Sequence, residues 1–410
     1  MSQNVIEKMI LNHKFRYIFI VMLVLGGIFL FTAVKIVNSL DYPNSDFFTF
    51  WLGGHLASLG ENPYIAGIWI GGHHQFGASW IPNTTFIYPL PLSLLFAPLG
   101  LLSLYQAYVV WIVLSQFMII LSVALLMRLY PNQLNKHFIL PLLAGVVLFR
   151  PTIITLINGQ LSGFLLILLA CIVFIWEKGK WWQGSVLLPI LALKPNLGIP
   201  IIVLLIFYLI LRRQMASLVA VGASSVVLLC IGLIQNANWV NEFLKAGGTK
   251  LSQTFGFSPT VWGIAAYLSG FRLNPTLVLG GLAAIVLLVG CLILMVRHRE
   301  SLSPAMACSM AITTTLLITP YTWPYDQLLL IIPIIAIMTE MIKRQYPFLL
   351  TASIFLLFDI LSLVLLLISA KIQMEVLNAI IPLSMYCILF IFILSMKSQK
   401  PLNNTTKVIQ

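Results

Sequence analysis

Charged residues are scarce in this chain. Only 8% of its 410 residues are Asp, Glu, Lys or Arg, while 60% are hydrophobic. Soluble domains carry about 25% charged residues, so this composition cannot cover a surface that faces water. The mean hydropathy of +1.01 indicates that lipid is the main solvent of the folded chain. These values exclude a soluble globular protein.

The sequence also has no continuous stripe of Lys and Arg, although its net charge is +12. Lys and Arg occur in ones and twos between apolar runs, which is typical of a positive-inside bias and not of a surface that follows phosphates. We therefore predict no binding of nucleic acid. The five cysteines lie inside apolar runs without a C-x-x-C pair, and His73-His74 is an isolated doublet. We predict neither a disulfide framework nor a metal site.

Long apolar runs make up most of the sequence. They give twelve candidate membrane spans, several of them short for a span of about 20 residues. The pair 181–192 and 196–211 can also be one helix kinked at Pro195. We predict an all-α, polytopic membrane protein. The spans cover residues 15–38, 106–127, 138–156, 161–176, 181–192, 196–211, 215–235, 276–296, 304–318, 327–342, 347–369 and 377–396.

The basic residues orient these spans. With the N-terminus placed inside, sixteen of the 23 Lys and Arg fall in short inside segments, as the positive-inside rule requires. Both termini are then cytoplasmic, and two long polar segments, 39–105 and 236–275, lie outside. We predict a single transmembrane domain over residues 1–400 and a cytoplasmic tail over 401–410. The chain has room for chemistry only on the outer face.

The first outer loop contains two predicted helices that do not cross the membrane. Residues 46–59 form an amphipathic helix whose apolar side, including Phe47, Phe50 and Trp51, suits the headgroup level. Residues 88–104 are apolar but contain three prolines, which favours a helix in the outer interface over a span.

Only eleven residues are acidic, and Asp41, Asp46 and Glu61 crowd the first outer loop. Asp46 stands at the start of a predicted helix, where an Asp serves either as an N-cap or as a catalytic base, and the sequence leaves both open. His55 lies nine residues further on, about two and a half turns, and so faces the opposite side of the helix. Asp359 lies within a span, where a structural hydrogen bond is the expected role.

Several strings resemble glycosyltransferase family 87. The segment DYPNSDFFTFWLGGHLASLGENPY (41–64), followed by IYPLPLSLLFAPL (87–99), resembles the beginning of that family of polyprenol-phosphate-mannose-dependent α-mannosyltransferases and their relatives in the GT-C superfamily. The strings NGQ (158–160), LKPN (193–196) and TPYTWPYD (319–326) support the match. The resemblance covers roughly residues 15–345, and the charge sorting independently places all these strings on the outer face.

This resemblance implies a GT-C-like fold with outer-face interface helices and a catalytic carboxylate near the start of the first outer loop. The matching position is Asp46, with Asp41 as its rival. Several relatives carry paired histidines where this chain has Tyr325 and Asp326, so a role of those histidines does not carry over.

Transfer from a polyprenyl-phosphate sugar needs a base for the acceptor hydroxyl, donors for the leaving phosphate and an apolar groove for the lipid tail. Lys194 and Arg150 are the candidate phosphate-binding cations, and snorkelling to the headgroups is the alternative for each. Without a nucleotide-binding glycine motif, we predict no cofactor. The candidate substrate-binding residues are Lys194, Arg150, Asp41, His55, Asn158, Gln160, Trp323, Tyr325 and Asp326.

We therefore predict a multi-pass hexosyltransferase of the cell membrane. It moves a hexose, with mannose as the sugar that the resemblance implies, from a polyprenyl-phosphate donor to a glycolipid or glycan acceptor outside. A single displacement with one base gives an inverted linkage. A transporter or lipid flippase is the alternative, because twelve spans with both termini inside is a common transporter layout. The lack of two similar halves argues against it.

Overall fold

The structure, a computed structural model, describes residues 23–80, 84–130 and 136–396. Within these ranges every regular element is a helix, and turns connect the helices. The predicted all-α class is confirmed. The beginning of the first predicted span, residues 15–22, and the predicted tail, residues 401–410, lie outside the described residues.

We number the α-helices in chain order within the described residues. Five short 3-10 helices, Tyr42–Asn44, Leu188–Leu193, Phe255–Phe257, Pro324–Leu330 and Val376–Ala379, lie between them. The α-helices are α1 (Leu23–Asn38), α2 (Asp46–Ser58), α3 (Ala66–Gln75), α4 (Leu90–Gly100), α5 (Leu104–Leu129), α6 (Lys136–Leu148), α7 (Arg150–Ile157), α8 (Ser162–Glu177), α9 (Trp181–Ser185), α10 (Pro195–Leu211), α11 (Met215–Gln235), α12 (Trp239–Thr254), α13 (Val261–Leu268), α14 (Leu273–Arg297), α15 (Pro304–Ile318), α16 (Ile331–Lys343), α17 (Phe348–Ile372) and α18 (Ile380–Leu394).

Six of the described helical segments are long and apolar enough to cross a membrane. A seventh span results if α6 and α7, which meet at a bend of 51°, are counted as one. Large apolar side chains on α11 and α14, such as Val219, Ile234 and Val286, are exposed. Exposed apolar side chains of this kind are typical of a helix that lipid surrounds. The chain is therefore a multi-pass membrane protein. The predicted count of twelve spans is not confirmed, because α8, α10 and α15 are apolar but have only 15 to 17 residues.

The helices α2 and α4 are those predicted in the first outer loop, and they pack directly on each other. Their backbones touch at two glycines: a Cβ on Gly54 would lie 2.4 Å from the Phe96 carbonyl oxygen, and one on Gly100 would lie 2.3 Å from the His55 nitrogen. The prediction that Phe47, Phe50 and Trp51 face the headgroups is not confirmed. All three side chains are buried inside the protein, because close packing against α4 and α5 removes them from lipid.

Two hydrophobic clusters fill the interior. One forms around α2, α4 and the first half of α5, and the other lies among α8, α10, α15, α16 and α18. At the beginnings of α8 and α10 the two clusters are neighbours: Leu161 and Leu193 belong to the first, whereas Leu165 and Leu197 belong to the second. Lys194 separates the 3-10 helix Leu188–Leu193 from α10, so residues 181–211 form separate short helices and not one kinked span.

Candidate active site

Four separate segments bring polar side chains together where the two clusters meet. Asp46 is the first residue of α2, Gln160 follows α7, Lys194 precedes α10, and Asp326 lies in the 3-10 helix Pro324–Leu330. Gln160 Nε2 donates to Asp46 Oδ2 at 2.7 Å. Lys194 Nζ donates to Gln160 Oε1 at 3.1 Å and forms an ion pair with Asp326. We call these four connected residues the Asp46–Asp326 cluster.

The turn at Asn158-Gly159-Gln160 places Gln160 in this cluster. Gly159 has a φ of +60°, which favours glycine. A Cβ there would lie 2.6 Å from Phe47 and from Tyr108. The Gly159 carbonyl also accepts a hydrogen bond from Trp111 Nε1 at 2.8 Å. Conformation and close packing therefore both require glycine beside Gln160.

We expect Gly159→Ala to be more harmful than Gly60→Ala, its matched control. Gly60 also has a positive φ, +73°, but no atom lies within 4 Å of a Cβ built there. Both changes carry the strain of a left-handed residue, about 1–2 kcal/mol, and Gly159→Ala adds overpacking of about 1–3 kcal/mol. Thermal unfolding in detergent measures the difference. Equal melting temperatures would show that the turn yields to accommodate a side chain.

Lys194 is buried and fully paired. Its side chain is 2% exposed, and Nζ contacts Asp326, Gln160 Oε1 and, at 3.4 Å, Ser162 Oγ. The ring of Tyr325 lies 4.8 Å away, in cation–π geometry. A buried ammonium is tolerated in this setting because three oxygen atoms receive its three donors.

Asp326 accepts hydrogen bonds on both carboxylate oxygens. Oδ1 takes the ion pair with Lys194 and a hydrogen bond from Ser162 Oγ at 3.1 Å, and Oδ2 takes the backbone N–H of Trp323 at 3.0 Å. Thr155 Oγ1 on α7 donates to the Tyr325 carbonyl at 3.1 Å. The segment 319–326 is therefore fixed to the turn that carries Gln160.

Asp46 is the exposed member of the cluster. Ser45, in extended conformation, is the N-cap residue of α2, and Asp46 follows it as the first helical residue. The carboxylate of Asp46 accepts from Gln160, across the interface with α7. Of the two interpretations left open by the sequence, this geometry favours a carboxylate directed at the cluster over an N-cap.

A cavity of about 200 Å³ opens beside the cluster and is bordered by Tyr88, Asn196, Tyr321 and α12. Burial raises the pKa of Tyr88 and of Tyr321, and the charges of Asp46 and Asp326 act in the same direction. Both phenols are therefore neutral at physiological pH and present O–H donors. The remaining lining residues are Ile87, Pro195, Phe243, Leu244, Gly247 and Gly248.

An apolar cavity of about 240 Å³ adjoins the first, and the two share Pro195 and Phe243 in their walls. It lies between α4, α10, α11 and α12, and aliphatic side chains and prolines dominate its lining. Both cavities are lined mainly by apolar groups, and Tyr88, Asn196 and Tyr321 supply the polar groups of the first.

The segment ENPY (61–64) connects the two long segments 39–105 and 236–275 through hydrogen bonds. Asn62 Nδ2 donates to Glu242 Oε2 on α12 at 3.1 Å, and Tyr64 Oη donates to the Tyr88 carbonyl at 2.5 Å. Glu242 also accepts from Asn236 at 2.7 Å. These contacts hold α12 and Tyr88 in place around the cavity.

Comparison with known proteins decides the family of this chain. The family described as glycosyltransferase family 87 matches residues 86–320, more than half of the chain. The chain belongs to glycosyltransferase family 87. It is therefore a membrane glycosyltransferase, and the resemblance to this family is confirmed by a match over residues 86–320. No curated protein and no solved structure matches it significantly.

Two predicted site residues of this family 87 protein lie away from the cluster. Asp41 is exposed and accepts from Asn44 Nδ2 at 2.6 Å, within the turn before α2. His55 contacts the Gly100 carbonyl through Nδ1 at 2.8 Å and stacks on Trp51. It lines a separate cleft between α2 and α3, as expected from its position on the opposite side of the helix.

Arg150 forms a second polar cluster at the other end of α7. Its Nη2 forms an ion pair with Glu375 at 2.9 Å, and its Nη1 donates to Asn378 Oδ1 at 2.8 Å. The structure thus engages the guanidinium with the segment before α18 and not with Asp46. Glu375, which the sequence presents as an ordinary loop charge, is its partner.

Asn158 and Trp323 flank the cluster without a polar side-chain contact to it among the described residues. Asn158 caps the C-terminus of α7, and Trp323 contributes its backbone N–H to Asp326.

Sequence reasoning missed Ser162, Tyr88, Tyr321 and Glu242. Tyr88 and Tyr321 stand within strings already singled out, and that was the available signal. No group of three metal-ligating side chains is present in the described part of the chain.

Proposed function

We propose that this glycosyltransferase moves a hexose from a polyprenyl-phosphate donor to an acceptor on the outer face of the membrane, with inversion. The observation that carries the proposal is the exposed Asp46, whose carboxylate accepts from Gln160 and whose charge acts on Tyr88 and Tyr321 in the wall of the 200 Å³ cavity. An apolar cavity between helices adjoins it. The apolar walls of both cavities suit a lipid tail, and Tyr88, Asn196 and Tyr321 give the first cavity polar groups for a sugar phosphate.

In the proposed reaction Asp46 removes the proton from the acceptor hydroxyl. The acceptor oxygen then forms a bond to the anomeric carbon while the bond from that carbon to the phosphate oxygen breaks. The polyprenyl phosphate leaves with the electron pair of that bond. A single displacement of this kind inverts the anomeric configuration and needs no covalent intermediate.

The leaving phosphate requires hydrogen-bond donors in the cavity. All three donors of Lys194 are engaged inside the cluster, and Arg150 is paired with Glu375. Tyr88 and Tyr321 line the cavity instead, and the raised pKa of each phenol keeps it protonated. In this proposal the two tyrosines, and not the two cations predicted from the sequence, bind the leaving phosphate.

The outer-face placement rests on the charge sorting together with the cluster. Asp46, Gln160, Lys194 and Asp326 come from four segments that the distribution of Lys and Arg assigns to one side. Their direct contacts are consistent with a common side. Both termini are cytoplasmic in this proposal, and the membrane is the cell membrane.

Sealed right-side-out vesicles test the proposal. Radiolabelled polyprenyl-phosphate mannose, supplied to the outer leaflet, should pass its label to a new product in vesicles with the wild-type protein but not with Asp46→Asn. Glucose and galactose donors of the same lipid identify the sugar. Transfer that begins only after detergent opens the vesicles would contradict the outer-face placement. Failure with every polyprenyl-phosphate sugar would contradict the donor class.

A further inference from the structure

Gln160 lies between two groups of opposite charge. Its side-chain amide contacts Lys194 Nζ at 3.1 Å on one side and Asp46 Oδ2 at 2.7 Å on the other. Gln160 is 2% exposed, so water does not compete for either end of the amide. The two ends of this amide differ, because one is an acceptor and the other a donor.

Lys194 decides which way this amide points. An ammonium only donates hydrogen bonds, so the amide oxygen must face Lys194, and the NH₂ group must then face Asp46. The reverse orientation would direct the NH₂ group at an ammonium and the oxygen at a carboxylate, which is repulsive at both ends. The orientation therefore follows from charge.

Lys194 is itself held by its partners. Asp326 neutralises it, and Ser162 both accepts from Lys194 and donates to Asp326. With Gln160 these groups use all three N–H donors of the ammonium. In this arrangement Gln160 links the lysine to Asp46.

We propose that Lys194 and Gln160 are positioning residues that orient the Asp46 carboxylate and keep it ionised. This inference rests on the proposed role of Asp46 as the base. Lys194 fixes the Gln160 amide, and the amide N–H donates to the charged form of Asp46. A donor to a carboxylate stabilises the ionised form, which is the form that accepts a proton.

The sign of the effect follows from this arrangement. Without Lys194 the amide can turn its oxygen toward Asp46, and without Gln160 the donor is absent. In both cases the protonated form of Asp46 becomes more stable relative to the anion. The acidic limb of the pH–rate profile therefore moves to higher pH. Other groups around Asp46 also titrate or carry charge: Tyr88, Tyr108, Tyr321, Tyr325, Asp326 and Lys194.

The test compares Gln160→Met with the pair variant Lys194→Met/Asp326→Asn, which leaves no charge of this ion pair unpaired. Each should move the acidic limb up by about one pH unit, since one hydrogen bond to the carboxylate is lost in each. The triple variant should move it no further, because Lys194 acts through Gln160. The matched control, Arg150→Met/Glu375→Gln, removes the other ion pair and should leave the limb unmoved.

A second readout does not depend on transfer. A water-soluble carbodiimide with glycine ethyl ester modifies protonated carboxyl groups, and mass spectrometry of the Asp46 peptide gives the extent of modification at each pH. The midpoint should rise in Gln160→Met and in the pair variant, and stay at the wild-type value in the control. If these midpoints shift while no variant or wild type transfers sugar, the positioning role stands and the proposed function fails.

Two results would overturn the inference. In the first, the pair variant raises the KM for the donor while both the acidic limb and the modification midpoint stay in place. Lys194 would then bind the phosphate directly. In the second, the shifts of Gln160→Met and of the pair variant add in the triple variant, so that the two residues act on Asp46 independently.

Discussion

Asp46→Asn should give a folded protein whose kcat is lower by about 100-fold or more, the usual scale for a positioned general base. Asn has the size of Asp and serves about as well near a helix N-terminus, so α2 should form unchanged. It cannot remove a proton. Transfer from labelled polyprenyl-phosphate mannose, measured with equal amounts of folded protein, gives kcat.

Asp41→Asn is the matched control, since Asp41 is also an exposed Asp just before α2 but bonds only to Asn44 among the described side chains. Its effect on kcat should be less than about threefold, as expected of a surface turn. A fully active Asp46→Asn beside an inactive Asp41→Asn would identify Asp41 as the base. An active protein in both cases would remove the carboxylate base from the mechanism.

Lys194→Met should cost about 3–5 kcal/mol of folding stability, because it leaves the buried Asp326 carboxylate without its cation. Lys194→Met/Asp326→Asn should recover most of that loss, since a neutral pair of similar size leaves no buried charge. Thermal unfolding in detergent and the yield of folded protein measure both variants.

If Lys194 bound the donor phosphate, as the sequence predicted, its replacement would instead weaken donor binding. A lysine that snorkels to the headgroups would be replaceable at little cost, within about 0.5 kcal/mol. Unchanged melting of Lys194→Met would therefore place the ammonium in the interface and not in the cluster. Equal instability of the single and the pair variant would show that hydrogen bonds, not charge, hold the segment.

Much of the fold was predictable because lipid restricts the possibilities. An apolar run such as residues 215–235 could only be a helix, because within a membrane a single segment can form all its backbone hydrogen bonds internally only as a helix. The helix α11 has these bounds, Met215–Gln235. The count of spans was less predictable. Apolar composition alone does not separate a full span from a short helix such as α15, which is buried among other helices.

The candidate site was partly predictable for a related reason. Polar residues at the ends of apolar runs, such as Gln160 and Asp326, were few enough to single out, and Gln160 lies within the residues that match the family. Their partners were not predictable, because the contact between Lys194 and Asp326 joins residues 132 positions apart. Arg150 shows the same limit, since the sequence gives no sign that Glu375 lies beside it.

The sequence by itself determined the solvent, the helical class and the family, because composition and local strings are properties of the chain that need no contacts. Only the tertiary structure decided what the charged residues do. It paired Lys194 with Asp326 and Arg150 with Glu375, and it left Asp46 exposed with its carboxylate bonded to Gln160. The physical reason is that a charge near the membrane is tolerated either with a partner or in water, and the fold alone supplies either one.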